Sequence, residues 1–568
     1  MSGAGGSSPS GAGAEAMGRR DWLAVACALA VAAVLRIVFL RETAAHPLYQ
    51  ALTGDPALYH RQALDVLGGR PAPDHAYFHS SPLYPFVLAA LLRIGGGSLT
   101  AVRAVQSAVG IGTVLLIARL AAAAFGRRAA VAAAWLAALY VPFIFFESEV
   151  LEIAWVLAFV TGMLLLLARR RSALTTAAAA AAGALLGLAS LGKPNLLLFA
   201  PVGSALIMAG AMAGEREAPP RAERQEAWGR RAAPAVVFFV VTGLMILPAT
   251  VHNLRTSGDL IPVSSNGGIN LYIGNHAGAS GMFQVPPEMR LDLLGSSTRA
   301  AEREAGRRLS AGEVSDHWAR KAFAYMRSQP GSWLALMARK TALFWNAYEI
   351  PNHYHFYFVR GFAPVLRIPL STFGVVAPLG LLGLCLAAGR RRPHAPLLIA
   401  YGATFMVSVV LFFITARYRL AVAPVLLAAA GYALTELWAF AREAKWRSLA
   451  GAGAVLAALA VGVNVPMVEF GFAQMHNTVG AILGDRGDYV GAATEFRRAV
   501  GEDPDNISAH YNLGVALVET GDLEEAARAF ERATRLYPGY REARAALAAT
   551  LERIERAREA DGSERRSE

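Results

Sequence analysis

The sequence predicts an all-α polytopic membrane protein that ends in a solenoid of paired helices. Three observations carry this. Of its 568 residues 55% are hydrophobic and only 17% charged, less charge than a soluble chain of this length carries. The apolar residues gather into eleven runs of about the length that a spanning helix requires, ~20 residues. Behind the last run the composition turns polar, and a 34-residue period appears.

The first 20 residues, rich in Gly, Ser and Ala, read as disordered. Spanning helices are expected near 22–40, 101–124, 129–146, 150–168, 173–190, 194–212, 234–252, 365–388, 395–414, 418–438 and 447–466. The first run has no small-residue cleavage site behind it and reads as a retained helix, not a signal peptide. Lys and Arg outnumber acids 54 to 42, but they fall in short clusters between apolar runs, which argues for topology and against nucleic acid. The clusters are Arg127–Arg128, Arg169–Arg171, Arg216 to Arg231, Arg390–Arg392 and Arg442 to Arg447. From a cytoplasmic N-terminus all five fall on the cytoplasmic side, as positive-inside orientation requires. Cys27 and Cys385 lie within apolar runs and form neither a disulfide framework nor a metal motif.

Two larger loops fall on the opposite face, residues 41–100 and 253–362. In the first, 56–67 and 82–94 are apolar but too short to span. Tyr59, Ala63, Val66 and Leu67 share one helical face, as in a helix lying in the interface. The second holds SSNGGINLYIGN and then helices around 297–328 and 331–349. In the C-terminal segment, Gly480, Gly487, Ala492, Phe496, Ala499 and Pro504 recur 34 residues later as Gly514, Gly521, Ala526, Phe530, Ala533 and Pro538. That period, with small, aromatic and proline residues at those offsets, is the tetratricopeptide pattern. The repeat domain is expected over 473–556, with 541–555 as a capping helix and 557–568 as a disordered tail.

The polar residues at span ends collect on the outer face: Asp55 after the first span, Glu147, Ser148 and Glu149 between the third and fourth, and Lys193 between the fifth and sixth. His252, Asn253 and Arg255 end the seventh, and Arg417, Tyr418 and Arg419 join the ninth and tenth. Charge within apolar sequence costs free energy unless it meets water or partners, so each is a functional candidate. Each also has a plainer reading. Asp55 before Pro56 makes a good helix cap; Arg417 and Arg419 suit interface anchors, Lys193 a snorkelling lysine, Glu149 a cap. Their shared face favours a site of carboxylates opposite cations. That suits a hydroxyl nucleophile and an anionic leaving group, the carboxylate activating one and Arg and Lys holding the other. His60, His79, His276, His353 and His355 lack metal-ligand spacing. Gly267–Gly268 does not lie between a strand and a helix, as a nucleotide-phosphate loop would.

The order of Asp55, SPLYPFVLAALLRIGG (81–96), the acidic pair Glu147 and Glu149, GKP (192–194) and GGINLYIGN (267–275) resembles polytopic GT-C glycosyltransferases. Within that class it is similar to the family 39 group of protein O-mannosyltransferases and the lipid A aminoarabinose transferase. The resemblance covers residues 20–470. It implies inverting transfer of a sugar from a polyprenyl-phosphate donor to a protein or cell-envelope glycan or lipid hydroxyl, on the periplasmic face of a bacterial inner membrane. It places the base on Asp55 and the donor phosphate on Lys193, Arg255, Arg417 and Arg419. Many relatives carry Asp-Glu where this chain has Asp55-Pro56, so the role of the second acid is either absent or moved to Glu147 or Glu149. The resemblance implies no nucleotide sugar at the active site, and divalent-metal dependence varies across the class. The repeats then suit a protein partner or acceptor, and the non-enzyme alternative is a membrane-anchored repeat scaffold or transporter.

Overall fold

The computed structural model of the chain describes residues 17–69, 81–168, 174–210, 221–286, 289, 293–368, 371–469 and 471–567. The Gly/Ser/Ala-rich start up to residue 16, His79, Arg169–Arg171 and Arg216 lie outside them. The regular secondary structure of the described residues is helical, with no strand and one isolated bridge between Met282 and Ile414. The chain forms two compact units. One collects residues 1–40, 58–352 and 364–467; the other collects 41–57, 353–363 and 468–568.

In the first unit all eleven apolar runs are helical. Among the described residues five helices are long and apolar enough to cross a membrane: Arg19–Thr43, Leu99–Phe125, Trp228–Ser257, Ala416–Arg442 and Trp446–Asn464. The run at 129–146 is not one straight helix. It forms Arg127–Ala138 and Val141–Ser148, bent by 53°, because Pro142 at the start of the second piece has no N–H to continue the ladder. The other five runs form apolar helices of at most 17 residues, Ile153–Ala168 and Thr176–Gly192 among them. At 1.5 Å per residue such a helix rises about 25 Å. That is less than the ~30 Å hydrocarbon core, so length alone supports five or six spans.

Small residues bring these helices together. A Cβ on Gly183 would lie 2.4 Å from the carbonyl oxygen of Phe238, and one on Gly383 would lie 2.0 Å from that of Ala429. The Thr242 hydroxyl donates to the Gly183 carbonyl across the first of these contacts at 3.1 Å.

The 253–362 segment folds around Trp318, which is fully buried with Ile269, Ile273, Ala301 and Val314. The expected helix at 297–328 is two, Leu293–Ala305 and Ala311–Ser328. Gly306 turns the chain at φ 68, and Ser310 with Glu313 opens the second helix through a capping box. The GGINLYIG stretch is itself a helix, Gly267–Gly274. Its glycines allow backbone contact: Cβ atoms on Gly268 and Gly274 would collide with the carbonyls of Ser315 and Phe412.

In the second unit the repeats form as read. Ala473–Asp485 pairs with Tyr489–Glu502, Ile507–Thr520 pairs with Leu523–Leu536, and Arg541–Ser567 follows. That last helix continues through 557–567, which the sequence left as a disordered tail. Its alternating Glu and Arg include the i,i+4 pair Glu552–Arg556, which supports an exposed helix.

Candidate functional site

The site in the first unit is built on a break. Helix Val141–Ser148 stops at Glu149, whose backbone is extended (φ −68, ψ 139), and the next helix starts at Ile153. The carbonyls exposed by such a stop need donors, and helix Leu99–Phe125 supplies them from the side. Gln106, wholly buried, donates to the carbonyls of Glu147 (2.8 Å) and Glu149 (2.7 Å). Its own side-chain oxygen accepts from the Tyr84 hydroxyl at 2.5 Å. One turn earlier, Arg103 Nε donates to the Ser148 carbonyl at 3.2 Å. The acidic elbow 147–152 is thereby fixed from outside itself.

Glu152, at the far end of the elbow, meets Lys193 at the end of helix Thr176–Gly192. Lys193 Nζ lies 2.8 Å from Glu152 Oε1 and 4.1 Å from the centre of the Tyr418 ring. Tyr418 stands in a one-turn helix, Ala416–Arg419, capped by the Thr415 hydroxyl. The Arg417 guanidinium stacks over the same ring at 5.2 Å, with Nη2 3.4 Å from the Tyr418 hydroxyl. Glu152, Lys193 and Arg417 are 3%, 8% and 4% exposed, so their charges are felt at low dielectric. Glu152 Oε2 has no hydrogen-bond partner among the described residues. Two buried cations beside a buried carboxylate make a setting that can hold an oxyanion.

Of the residues singled out in the sequence, this arrangement unites Lys193, Arg417 and Tyr418. It adds Glu152, Gln106, Arg103 and Tyr84, which sequence reasoning passed over. Arg103 and Glu152 carried a usable signal, since each is a charge inside a run read as spanning.

The others are placed differently. Glu147 is fully buried and ion-paired at 2.7 Å with Arg36 of the first helix, which also donates to the Ala32 carbonyl. The carboxylate fills the space over Gly110, where a Cβ would lie 2.0 Å from Oε2. Arg419 faces away from Arg417. Its guanidinium donates to the carbonyls of Phe344 (3.3 Å), Asn346 and Tyr348 (2.9 Å), pairs with Glu349 at 3.1 Å and covers the Phe373 ring. Burial holds the Glu349 carboxyl above its ordinary pKa, while Arg419 pulls it down. Asn253 is also consumed locally, donating to the carbonyls of Ile261 (3.0 Å) and Val263 (3.1 Å) and closing the turn after the long helix. His252 and Arg255 lie in the last turns of that helix, half-buried and exposed. Glu149 is buried, with its carbonyl held by Gln106.

Asp55 belongs to the second unit. Helix Gly54–Leu67 starts one residue before it and puts the carboxylate in the first turn, where the helix dipole favours negative charge. Gly54 takes a left-handed backbone (φ +57). Among the described residues no group of three or more His, Cys, Asp or Glu side chains is placed to hold a metal.

Comparison with known proteins places the two ends of the chain. Residues 74–217 match the family profile described as dolichyl-phosphate-mannose-protein mannosyltransferase, and 485–550 match the tetratricopeptide repeat. No curated protein matches the sequence significantly. Solved structures of the Archaeoglobus fulgidus oligosaccharyltransferase are similar at low level. The AglB complex with an inhibitory peptide and a dolichol-phosphate is 17% identical over 83% of this chain, with a TM-score of 0.44. The form tethered to an acceptor peptide is 16% identical over 89%, with a TM-score of 0.45. The chain spans 59% of the length of each. The chain is thus a largely helical membrane protein in which residues 74–217 match the dolichyl-phosphate-mannose-protein mannosyltransferase family profile and residues 485–550 match the tetratricopeptide repeat.

Proposed function

We propose that the protein is an inverting glycosyltransferase that moves a sugar from a polyprenyl-phosphate donor to a hydroxyl acceptor at the outer, periplasmic face of the membrane. The observation that carries this reading is the buried Glu152–Lys193–Arg417–Tyr418 cluster, of which Glu152 and Lys193 lie within the stretch that matches a dolichyl-phosphate-mannose-dependent transferase family. Lys193 and Arg417 take the departing phosphate, Arg in a forked geometry and Lys as a point charge. Asp55 is the base that removes the acceptor proton as the hydroxyl attacks the anomeric carbon opposite the leaving phosphate. Glu149 and Glu152 supply the second acid. Arg255 and His252, exposed and half-buried, meet the donor or acceptor at the rim. Glu147 and Arg419 hold the scaffold instead, since their charged atoms are committed to Arg36 and to the 344–349 segment. A protein acceptor is favoured over a lipid because stacked repeats present a peptide-binding surface.

The test is transfer from a radiolabelled polyprenyl-phosphate sugar by Asp55→Asn. Asn keeps the size and shape of Asp in the first turn of the helix, where the sequence alone suggests a cap, but is a poor base. Loss of a general base costs about 10²–10⁴-fold in rate. Wild-type activity in a normally folded variant would remove Asp55 from catalysis.

A further inference from the structure

The second compact unit is more than the repeats. It joins them to two distant stretches of chain, 41–57 and 353–363, and the first of these carries Asp55. The joints are side-chain contacts. Against the first repeat helix, the His355 N–H donates to the Met475 sulfur at 3.4 Å, and the His355 ring meets Phe472 edge-on at 5.0 Å. Phe358 packs against Phe472 at 5.6 Å and His476 at 5.2 Å.

From the same stretch the contacts continue to 46–54. Phe362 lies flat on His46 at 3.6 Å between centroids. The Tyr354 hydroxyl donates to the Leu48 carbonyl at 3.0 Å. His353 Nε2 is 3.4 Å from the Thr53 hydroxyl, and its ring occupies the place of a Gly54 Cβ, which would lie 2.6 Å from Cε1. A direct strut joins the ends, Arg486 to the Gln50 side chain at 2.7 Å. Leu48, Tyr49, Tyr354, Phe356, Val359, Ala473 and Met475 are all buried, so this is a core and not a glancing touch. Burial holds the His46 and His355 imidazoles at a pKa of about 4, against a raising effect of Glu495 on His46. Both rings are then neutral at pH 7 and pack as aromatic groups.

We propose that the repeat array, acting through residues 353–362, positions the Asp55 segment, with His353 as the positioning residue under Gly54. The repeats are then part of the transferase apparatus and not only a tether for an acceptor. The proposal rests on the reading of Asp55 as the base, but its physical content, rigid coupling of the repeats to residues 46–58, is measurable without that reading.

The experiment uses the full chain in lipid nanodiscs, with hydrogen exchange over 46–58 and turnover of a short acceptor by the polyprenyl-phosphate sugar. Phe358→Ala loosens the joint; Phe358→Leu is a milder version that keeps the test alive if the first misfolds. His353→Ala removes the ring beneath Gly54, and His353→Gln restores a polar partner for Thr53. Loosening of the joint is expected to raise exchange over 46–58 by about tenfold and to lower kcat by about tenfold, with donor KM within about twofold. His353→Gln recovers part of the kcat lost in His353→Ala. Unchanged exchange over 46–58 in a variant whose repeat helix 473–485 has become labile would overturn the coupling. So would a loss confined to acceptor KM, which would leave the repeats as a tether. An active Asp55→Asn, in contrast, removes the catalytic reading and leaves the exchange result to stand or fall alone.

Discussion

Arg417 and Arg419 stand two residues apart in one helical turn and have opposite surroundings. Arg417 stacks on Tyr418 beside Lys193, whereas Arg419 is saturated by three carbonyls and Glu349. Arg417→Gln is therefore expected to raise donor KM by about 10- to 100-fold, the value of a hydrogen bond to a charged group, and to lower Tm less than the same change at Arg419. Arg419→Gln should lower Tm first, by an amount matching about 3–5 kcal/mol for breaking a buried pair. The reverse pattern would exchange their roles. The sequence marked both arginines and offered nothing to separate them, because the direction of a side chain in a single turn depends on what packs against it. Glu152 shows the converse: its charge inside an apolar run is visible in the sequence, but only the fold brings Lys193 to it. Lys340 is a third such residue. It is fully buried and its ammonium meets the Asn275 side-chain oxygen at 3.0 Å, and burial lowers its pKa from 10.5 to about 7. The folded state thus binds fewer protons than the unfolded one between those values. Stability is full above about pH 10.5 and is lost as pH falls towards 7. Lys340→Met should melt higher than wild type at pH 7 and lose that margin towards pH 10; a margin independent of pH would refute the assignment.

At the level of elements, what repeats in sequence was readable and what bends was not. Gly480 and Gly514 were marked by their 34-residue spacing, and the structure gives the reason: a Cβ at either would lie under 3 Å from the ring of Phe496 or Phe530. Gly514→Val should destabilise the array by about 1–3 kcal/mol through overpacking. Melting followed by exchange within 507–536 reads this, and unaltered protection there would contradict it. The kink at Tyr140–Pro142 and the split at Gly306 escaped because apolar or polar patterning continues unbroken across them. The proline was visible, but proline within a spanning run is ordinary enough not to end it. The span count has the same origin, since hydropathy counts apolar residues and not the helix length that survives after caps and breaks.

For the whole molecule, the boundary read at residues 470–473 separates membrane and repeat sequence, but the compact units do not follow it, because 41–57 and 353–363 join the repeats. No composition change marks that exchange of partners; it depends on aromatic contacts such as His46 on Phe362. The buried pair Arg36–Glu147 has a bearing on how the chain is made. Arg36 enters the bilayer with the first helix, while its carboxylate lies 111 residues later. An arginine at a helix centre raises the insertion free energy by about 2.5–3.5 kcal/mol, so the nascent first helix is held weakly until residue 147 has been synthesised. Nascent chains arrested before Glu147 should release their first helix to alkaline extraction more readily than chains arrested after residue 168, and Arg36→Leu should abolish the difference. Equal retention of both arrested chains would mean that the pair forms too late to matter for insertion. Earlier release of the shorter chain would make this ion pair an assembly checkpoint, closing the first part of the bundle before the acidic elbow beside it is complete.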